Sequence, residues 1–528
     1  MSEATLVILN AHALTLNPRQ PKAEAIAIRD EKILAVGSNK QVRKYVGKKT
    51  RIIDAKGKTV VPGLNDCHVH MTGFGQFLQT LELRDVTSIK QLQARLREYA
   101  EKNPEKTWIL GGRWDHEKFS EKRCPTRHDL DAVVSDKPVF LIRVCGHVGV
   151  ANSKALQLAG ITEETVIHGG KAELDAKTGE ANGVLCENAL GLVWKAVPKL
   201  GRKELQESCI LACEEAVEAG LTCVHWIVGS PKEIGIIHKL YSNGKLPLRV
   251  YLGIPIEFLD SLTSLGLPRG FGNDMVQIGF VKILADGSLG GHTAAMKKPY
   301  SDKPETHGVV LYTQEKLDRL VLKAHTAGLQ LAIHAIGDRA VEAVLDAYEK
   351  ALKEHPSKNH RHRIEHCSVL NPKLIEKMKK LGLVASVQPH FVVSDFWVVD
   401  RVGKTRARWV YPFKTLINKG LTVVSGSDCP VESISPILGI WAAVARRNPP
   451  EEGLTVEEAL RTYSLNAAYS SFDEHKRGTI EAGKLADLTV LSGDLSSVQS
   501  DDIKFVKVEM TIVNGKVVYV RSHLNKKP

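Results

Sequence analysis

Apolar runs recur through the middle of the chain, and four of them share one local plan. In each, a helix-like stretch ends at a Gly-Leu pair and an apolar β-type run follows at once. The four pairs are Gly220-Leu221, Gly328-Leu329, Gly382-Leu383 and Gly420-Leu421. The glycine suits the left-handed conformation that ends many helices, and the continuous apolar run suits a parallel strand buried on both faces. The pattern therefore predicts repeated helix-then-strand units.

Four further apolar runs fit as strands, and they raise the total to the number that closes a barrel. They cover residues 59–70, 248–252, 276–284 and 361–366. We predict an α/β fold, a (β/α)8 TIM-like barrel over residues 62–473, whose functional side chains gather at the carboxyl ends of the strands. The first two strands are separated by far more than an ordinary connection. This gap predicts an insertion at about residues 73–200.

Both ends of the chain read as short strands and turns instead. Asn514-Gly515 lies between two β-type runs, a strong hairpin signal because both turn positions need a positive φ. Neither end has enough apolar residues to bury a core alone. We therefore predict one small composite β-sandwich domain, built from residues 1–61 and 474–528.

Composition narrows the class of protein. The chain has 528 residues, 43% apolar and 25% charged, which is typical of a globular protein with more than one core. No apolar run is long enough to span a bilayer, and the first residues lack the features of a secretory signal. We expect a cytoplasmic protein with no membrane partner.

Cysteine usage and charge exclude two further classes. The nine cysteines are scattered with no Cys-x-x-Cys pair, which argues against a disulfide framework or a thiolate zinc site. The net charge is 72 − 60 = +12. The basic residues are dispersed and not interleaved with stacking aromatics, so a solvated basic surface is favoured over a nucleic-acid partner.

A His-x-His pair ends the first predicted strand. His68 and His70 are two residues apart, so in a strand both rings face the same side and could share one ion. Alone, the pair is equally typical of exposed strand histidines, and His334 alone is typical of a core histidine. However, His334, His366 and Asp428 each end a different predicted strand. Their gathering at one end of a barrel favours a metal site over coincidence.

Lys282 lies inside an apolar strand, where a charged ammonium is costly to bury. One interpretation is a lysine whose ammonium reaches the strand end. The other is a lysine made neutral or chemically converted, since burial lowers the pKa of a lysine. A carbamylated lysine would carry a carboxylate able to bridge two metal ions.

The motifs around these residues resemble the amidohydrolase superfamily, and within it the YtcJ-like amidohydrolase family 3. The resemblance spans nearly the whole chain in motif order. The matching segments are residues 62–70, 282–290, 334–339, 363–367, 427–432 and 483–488.

The resemblance implies a metal-dependent hydrolase of a small molecule. Its centre would hold two divalent ions, with zinc as the expected metal, His68, His70 and Asp428 on one ion and His334 and His366 on the other. Carbamylated Lys282 would bridge the ions. A metal-activated hydroxide would attack an amide, formamide or cyclic amide, with Asp428 as general base and then general acid. The alternatives are a deaminase-type hydrolase of the same superfamily and a catalytically silent barrel that acts by binding. A homodimer is expected by analogy alone.

Four residues outside this centre are candidates for binding the substrate. Trp114 and His147 lie in the insertion, His390 ends the seventh strand, and His292 stands where many family members carry an arginine. Trp114 could equally well be a packing residue. His390 could equally well be an ordinary loop histidine. Two positions depart from the family pattern. One is His292, and the other is Trp226, where family members often have an aspartate.

Overall fold

The computed structural model describes residues 3–167, 169–199 and 201–521. Its centre is a sheet of eight parallel strands in which each strand pairs with the next along the chain. The strands are β1 (Leu64–Val69), β2 (Leu221–Ile227), β3 (Arg249–Pro255), β4 (Val276–Leu284), β5 (Gln330–Ala335), β6 (Arg363–His366), β7 (Val384–Val387) and β8 (Thr422–Ser425).

The sheet curls until its first and last strands meet. Just beyond the strand ends, the Asp428 amide donates to the His68 carbonyl at 2.7 Å, and the His70 amide donates to the Cys429 carbonyl at 2.9 Å. These bonds join the carboxyl ends of β1 and β8. Three residues that the sequence places in a metal site, His68, His70 and Asp428, therefore also join the two ends of the barrel.

Helices connect and surround the strands. They span Arg202–Glu218, Pro231–Ser242, Leu259–Ser264, Gln314–Thr326, Asp338–Glu354, Pro372–Lys380, Phe391–Ser394, Val398–Val402, Lys404–Ala407, Phe413–Asn418, Pro436–Val444, Val456–Tyr463 and Leu465–Ser470. The four glycines of the Gly-Leu pairs all have φ between 65° and 93°. The predicted left-handed helix ends are thus confirmed, and each of them feeds a barrel strand.

The first predicted strand divides in two. Thr59–Pro62 belongs to a terminal sheet and only Leu64–Val69 to the barrel. The break falls at Gly63, whose amide bonds to the Asp487 carbonyl at 2.8 Å. A Cβ here would lie 2.2 Å from Oγ1 of Thr222, so only glycine fits. The sequence pattern does not reveal this break, because both halves are buried and so read as one continuous apolar run.

The connection between β1 and β2 folds as a sheet of its own. Its strands, in spatial order, are Gly170–Leu174, Ala181–Glu187, Val148–Ala151, Val139–Arg143, Ile109–Trp114 and Leu81–Glu82. Its helices are Met71–Phe77, Ile89–Lys102, Arg127–Asp131, Ser153–Ala159 and Leu190–Ala196. Two apolar clusters form within this segment, which we call the insertion.

The two chain ends share two sheets. One comprises Lys32–Gly37, Ala25–Arg29, Leu6–Leu9 and Arg51–Asp54; the other comprises Lys516–Val520, Val508–Val513, Leu488–Leu491, Thr59–Pro62, His12–Leu14 and Lys22–Ala23. One apolar cluster contains side chains of both sheets, including Ile8 and Ile512. The predicted hairpin is present, with φ of 55° at Asn514 and 72° at Gly515.

These observations confirm the predicted fold class, a (β/α)8 barrel with a smaller β domain from both chain ends. The proposed domain limits stay a prediction. All nine cysteines are free. Within the described ranges, no helix has both the length and the apolar character needed to cross a bilayer.

A buried ion pair joins the barrel to the terminal sheets. Arg249 donates from Nε and NH2 to the two carboxylate oxygens of Asp487, at 2.6 and 3.0 Å, and both side chains are about 3% exposed. Removing one partner would leave the other charge buried alone. We expect Asp487→Ala to lower the free energy of unfolding by about 3–5 kcal/mol. Urea denaturation would measure this, with Asp136→Ala on an exposed turn as control; equal stability of the two variants would contradict it.

Two buried histidines, His325 and His362, form a hydrogen-bonded chain at the amino-terminal end of the barrel. The Leu331 amide donates to His362 Nδ1 at 3.1 Å, His362 Nε2 lies 2.9 Å from His325 Nδ1, and His325 Nε2 lies 2.7 Å from the His355 carbonyl. Because His362 Nδ1 accepts, this arrangement requires a neutral His362. Burial also holds the pKa of His362 well below its usual value.

The protein is therefore expected to lose stability in mild acid. The unfolded chain binds a proton at His362 near pH 6.5 while the folded chain does not, so the stabilisation is present above that pH and lost as the pH falls. The slope is up to about 1.4 kcal/mol per pH unit for one such histidine. Unfolding measured between pH 5 and 7 should show a slope shallower by about that amount in His362→Asn, but not in His238→Asn. Equal slopes in the two variants would refute the assignment.

Candidate metal centre and substrate chamber

The sequence-predicted ligands converge at the carboxyl end of the barrel. His68 lies in β1, Lys282 in β4, His334 in β5 and His366 at the end of β6. His70 and Asp428 follow β1 and β8 in the connecting loops. Ring centroids of His68 and His366 lie 4.9 Å apart, and those of His334 and His366 lie 4.4 Å apart.

Three of the candidate metal ligands form a compact cluster. Ligand atoms of His68, His70 and Asp428 all lie within 4.8 Å of one another. Asp428 Oδ1 is 3.4 Å from His68 Nε2 and 3.3 Å from His70 Nε2. Two imidazoles and one carboxylate are a donor set that suits zinc. The geometry fits one divalent ion at this point.

Each of three histidines has one ring nitrogen fixed by a neighbour. His68 Nδ1 bonds to the Glu365 carboxylate. His334 Nε2 lies 2.9 Å from the Gly287 carbonyl, and His366 Nδ1 lies 2.7 Å from Gln388 Oε1. Ring N–H groups must donate in these bonds, which leaves the lone pair on the other nitrogen of each ring. Metal-binding histidines are commonly oriented in this way.

The electrostatics of these groups also suit metal ligation. Burial lowers the pKa of His68 and of His366 well below the usual value, so both rings are neutral. Burial opposes ionisation of Asp428, but the hydrogen bond from His70 and the charge of Lys282 outweigh it and lower the pKa of Asp428 below its usual value. Neutral imidazoles beside an ionised carboxylate are the forms that bind metal ions.

Lys282 is buried within the same cluster. Its side chain points into the barrel, with Nζ 3.2 Å from His68 Nε2. Burial lowers its pKa to about 8, although Glu365 and Asp428 partly offset the effect. About a tenth of this lysine is therefore a neutral amine at pH 7, far more than for an ordinary lysine, and the neutral amine is the form that can be carbamylated.

Two residues of the centre have left-handed backbones. The φ angle is 74° at His366 and 57° at Asp428. Such conformations cost roughly 1–3 kcal/mol in non-glycine residues and cluster at functional sites. At Asp428, part of this cost is met by the backbone bond to His68.

Three buried carboxylates that the sequence analysis did not single out hold the centre together. Asp66 accepts from the His68 and Ser427 amides at 3.1 and 3.0 Å. Asp286 accepts from three amides in the loops after β4 and β5. Glu365 accepts from Arg363 Nε at 2.7 Å as well as binding His68. Glu365 is adjacent to a candidate ligand and two residues from Arg363 in one short strand, and this spacing is the signal that could have revealed it.

A chamber of about 320 Å³ opens above the centre. Its wall includes five of the predicted residues: His147, His334, His366, His390 and Asp428. An apolar side of the wall is formed by Leu289, Ile336, Phe391, Val393, Phe396 and Trp397. The chamber is large enough for a small organic molecule beside the candidate metal ligands.

Two of the chamber histidines are each held by a carboxylate. His147 Nδ1 lies 2.8 Å from Glu187, and His390 Nδ1 lies 2.6 Å from Glu432. Burial opposes protonation of His147, but the bond to Glu187 raises its pKa to about 9. His147 is thus a cationic donor at neutral pH. Glu187 and Glu432 lie far in sequence from the histidines they hold, so spacing could not have predicted these pairs.

Two predicted substrate residues are not brought to the chamber wall. Trp114 is fully buried in the core of the insertion, where its Nε1 donates to the Leu141 carbonyl at 3.0 Å. Its neighbour Asp115 lines the chamber instead. His292 pairs with Asp302 at 3.1 Å. A substrate role for Trp114 and for His292 stays a prediction: in this structure Trp114 packs in a core and His292 pairs with Asp302.

The two departures from the family pattern lie away from the metal cluster. Trp226 is fully buried within the main apolar core. His225, beside it, accepts from Arg363 at 2.8 Å in the barrel interior. Neither Trp226 nor His292 is among the residues that line the chamber.

Comparison with known proteins gives matches over nearly the whole chain. The amidohydrolase family model matches residues 51–519. YtcJ of Bacillus subtilis, described as an amidohydrolase, is 36% identical over 95% of this chain and 97% of its own. The N-substituted formamide deformylase of Arthrobacter pascens is 28% identical over 98% of both chains.

A solved structure agrees with these matches. A metal-dependent hydrolase from Pyrococcus horikoshii is 32% identical, with a TM-score of 0.77 over 94% of this chain and 99% of that one. The hydrolase class predicted from the motifs agrees with the names of these relatives. The chain belongs to the amidohydrolase family.

Proposed function

We propose that this chain hydrolyses a C–N bond of a small molecule, in an amide, formamide or cyclic amide, with two zinc ions bound at the end of the barrel. The observation that carries the proposal is the compact cluster of His68, His70 and Asp428, with the buried amine of Lys282 in contact with His68. His334 and His366 would hold the second ion. Lys282, as a carbamate, would supply a carboxylate to both.

The fit of these residues to metal ions rests on their chemistry. Three rings each keep one nitrogen free because the other is fixed by Glu365, Gln388 or a backbone carbonyl. When bound, such ions lower the pKa of water and polarise a carbonyl oxygen. The remaining work belongs to side chains of the protein.

Asp428 is placed to move the proton. Its carboxylate is ionised and lies at the chamber wall beside His68 and His70. It would accept a proton from the attacking water and return it to the leaving nitrogen, as general base and then general acid. An amide needs both steps, since its nitrogen leaves readily only when protonated.

The substrate would be oriented from the opposite side of the chamber. His147, as a cation held by Glu187, can donate a hydrogen bond to a carbonyl or carboxylate of the substrate. His390 can contact a polar group, and Phe391 and Trp397 can pack on an apolar one. The formamide-hydrolysing relative makes N-formyl amines the first substrates to test.

A substrate panel tests this proposal. Zinc-loaded protein is incubated with N-formyl amines, N-acyl amines, lactams and aminated heterocycles, and amine or ammonia release is measured. Hydrolysis of an amide-type member supports the proposal. Release of ammonia from the heterocycles alone would instead identify a deaminase-type hydrolase. No turnover of any member by protein with a full metal complement would overturn both and favour a barrel that acts by binding.

A further inference from the structure

A second cavity lies beside the chamber and is larger than it. It encloses about 720 Å³, against about 320 Å³ for the chamber. Residues of the insertion form most of its wall, and we call it the insertion cavity. Arg143, Val144 and Val431 line both cavities, so the two cavities adjoin. Its size falls in the range of small-molecule sites.

Aromatic side chains supply much of the wall of the insertion cavity. Phe77, Tyr99, Trp108 and Trp194 all line it. Trp194 is 46% exposed, unusual for so large an apolar side chain. Packing of aromatic side chains against other planar rings is energetically favourable. The wall therefore suits a planar aromatic group.

Arg113 is one of the cationic side chains of this cavity, and its hydrogen bonding is incomplete. Its side chain is 11% exposed, and the guanidinium carbon lies 3.7 Å from the centre of the Phe77 ring. NH1 donates to Glu82 at 3.1 Å. Among the described residues, Nε and NH2 have no hydrogen-bond partner. Buried donors without partners are costly and rare, and a ligand is one way to satisfy them.

The charges around the insertion cavity favour an anion. Its wall carries four cationic side chains and two carboxylates: Arg113, Arg143, Lys106 and Lys199 against Glu105 and Glu204. Asp115 pairs with Arg143 at 2.6 Å and neutralises it. Glu82, the partner of Arg113, has a side chain that is 41% exposed, so its charge is well screened by solvent. Burial and nearby Arg84 lower the pKa of Arg113 to about 10, as expected for an incompletely compensated cation.

We propose that the insertion cavity binds a planar aromatic carboxylate, whose rings pack against Phe77, Trp108 and Trp194 and whose carboxylate pairs with Arg113. A guanidinium and a carboxylate form strong charge-assisted hydrogen bonds. This site is separate from the metal centre and does not depend on the hydrolytic reaction proposed above.

Two matched ligands test the site. Binding of 2-naphthoate and of neutral 2-naphthamide to the full chain is measured by calorimetry and by quenching of tryptophan fluorescence. We expect naphthoate to bind at least about ten-fold more tightly, since a charge-assisted bond contributes about 1.5–3 kcal/mol. Arg113→Met should abolish this preference while leaving naphthamide binding unchanged, and Arg113→Lys should retain part of it. Arg95→Met, on an exposed part of the insertion, is the control.

The same measurements locate the ligand. A carboxylate could also bind a metal ion in the chamber, so titrations are repeated after chelator treatment. Retained binding, and weaker binding of both ligands in Trp194→Ala, would support the insertion cavity. Equal affinity for the two ligands, an equal loss in Arg95→Met, or loss of naphthoate binding on chelation would overturn the proposal. Displacement of naphthoate by an N-formyl amine that is turned over in the substrate panel would overturn the separation of the two sites, and simultaneous binding of both would support it.

Discussion

Asp428→Asn is expected to lower kcat/KM for the hydrolysed substrate by about 10³-fold, in a protein that still folds. General acid–base catalysis contributes about 10²–10⁴-fold, and an amide side chain cannot take up the proton. The asparagine is nearly isosteric, and the backbone bond from residue 428 to His68 does not involve the side chain. Steady-state kinetics against the best substrate of the panel measure the effect.

Two checks separate catalysis from folding for this variant. Asp400→Asn, an exposed position on the helix Val398–Val402, serves as the matched control and should retain activity. Circular dichroism should show the same helix content in both variants. Activity of Asp428→Asn within about ten-fold of the unaltered protein would remove Asp428 from the proton transfer.

Lys282→Ala is expected to abolish most of the activity and to weaken metal binding. The buried amine contacts His68 directly. If Lys282 acts as a carbamate, the variant lacks a carboxylate, and a small carboxylate such as acetate can enter the space left by the side chain. Activity should then return in part with added acetate. The measurement is kcat/KM as a function of acetate concentration.

The choice of rescuing molecule decides which form of Lys282 acts. Restoration by methylammonium but not by acetate would show that the ammonium is the working form and would exclude a carbamate. Lys303→Ala, an exposed loop position, should keep full activity and respond to neither compound. Unchanged activity of Lys282→Ala would remove the lysine from the centre altogether.

The sequence predicted the barrel and the metal cluster because both depend on local patterns. Gly-Leu pairs mark helix ends that feed buried strands, and a ligand near a strand end reaches the same face of the barrel whichever strand carries it. His68, His334 and His366 could therefore be placed together from their positions along the chain. Lys282 was visible as a charge inside an apolar run.

The insertion was much harder to predict because its side chains are placed by packing. Trp114 and Asp115 are adjacent, yet one fills a core and the other lines the chamber. Which face of a short strand meets the barrel depends on the whole insertion. The carboxylates that hold His147 and His390 are distant in sequence, so only the folded chain brings each pair together.

The metal content of the purified protein tests the central claim most directly. The protein and a His68→Asn variant are each loaded with zinc and freed of excess metal. Their metal content is then measured by inductively coupled plasma mass spectrometry. We expect about two ions per chain, a loss of at least one in the variant, and loss of both activity and metal with a chelator. Less than about half an ion per chain in the unaltered protein would contradict it, since the His68, His70 and Asp428 cluster alone should hold one.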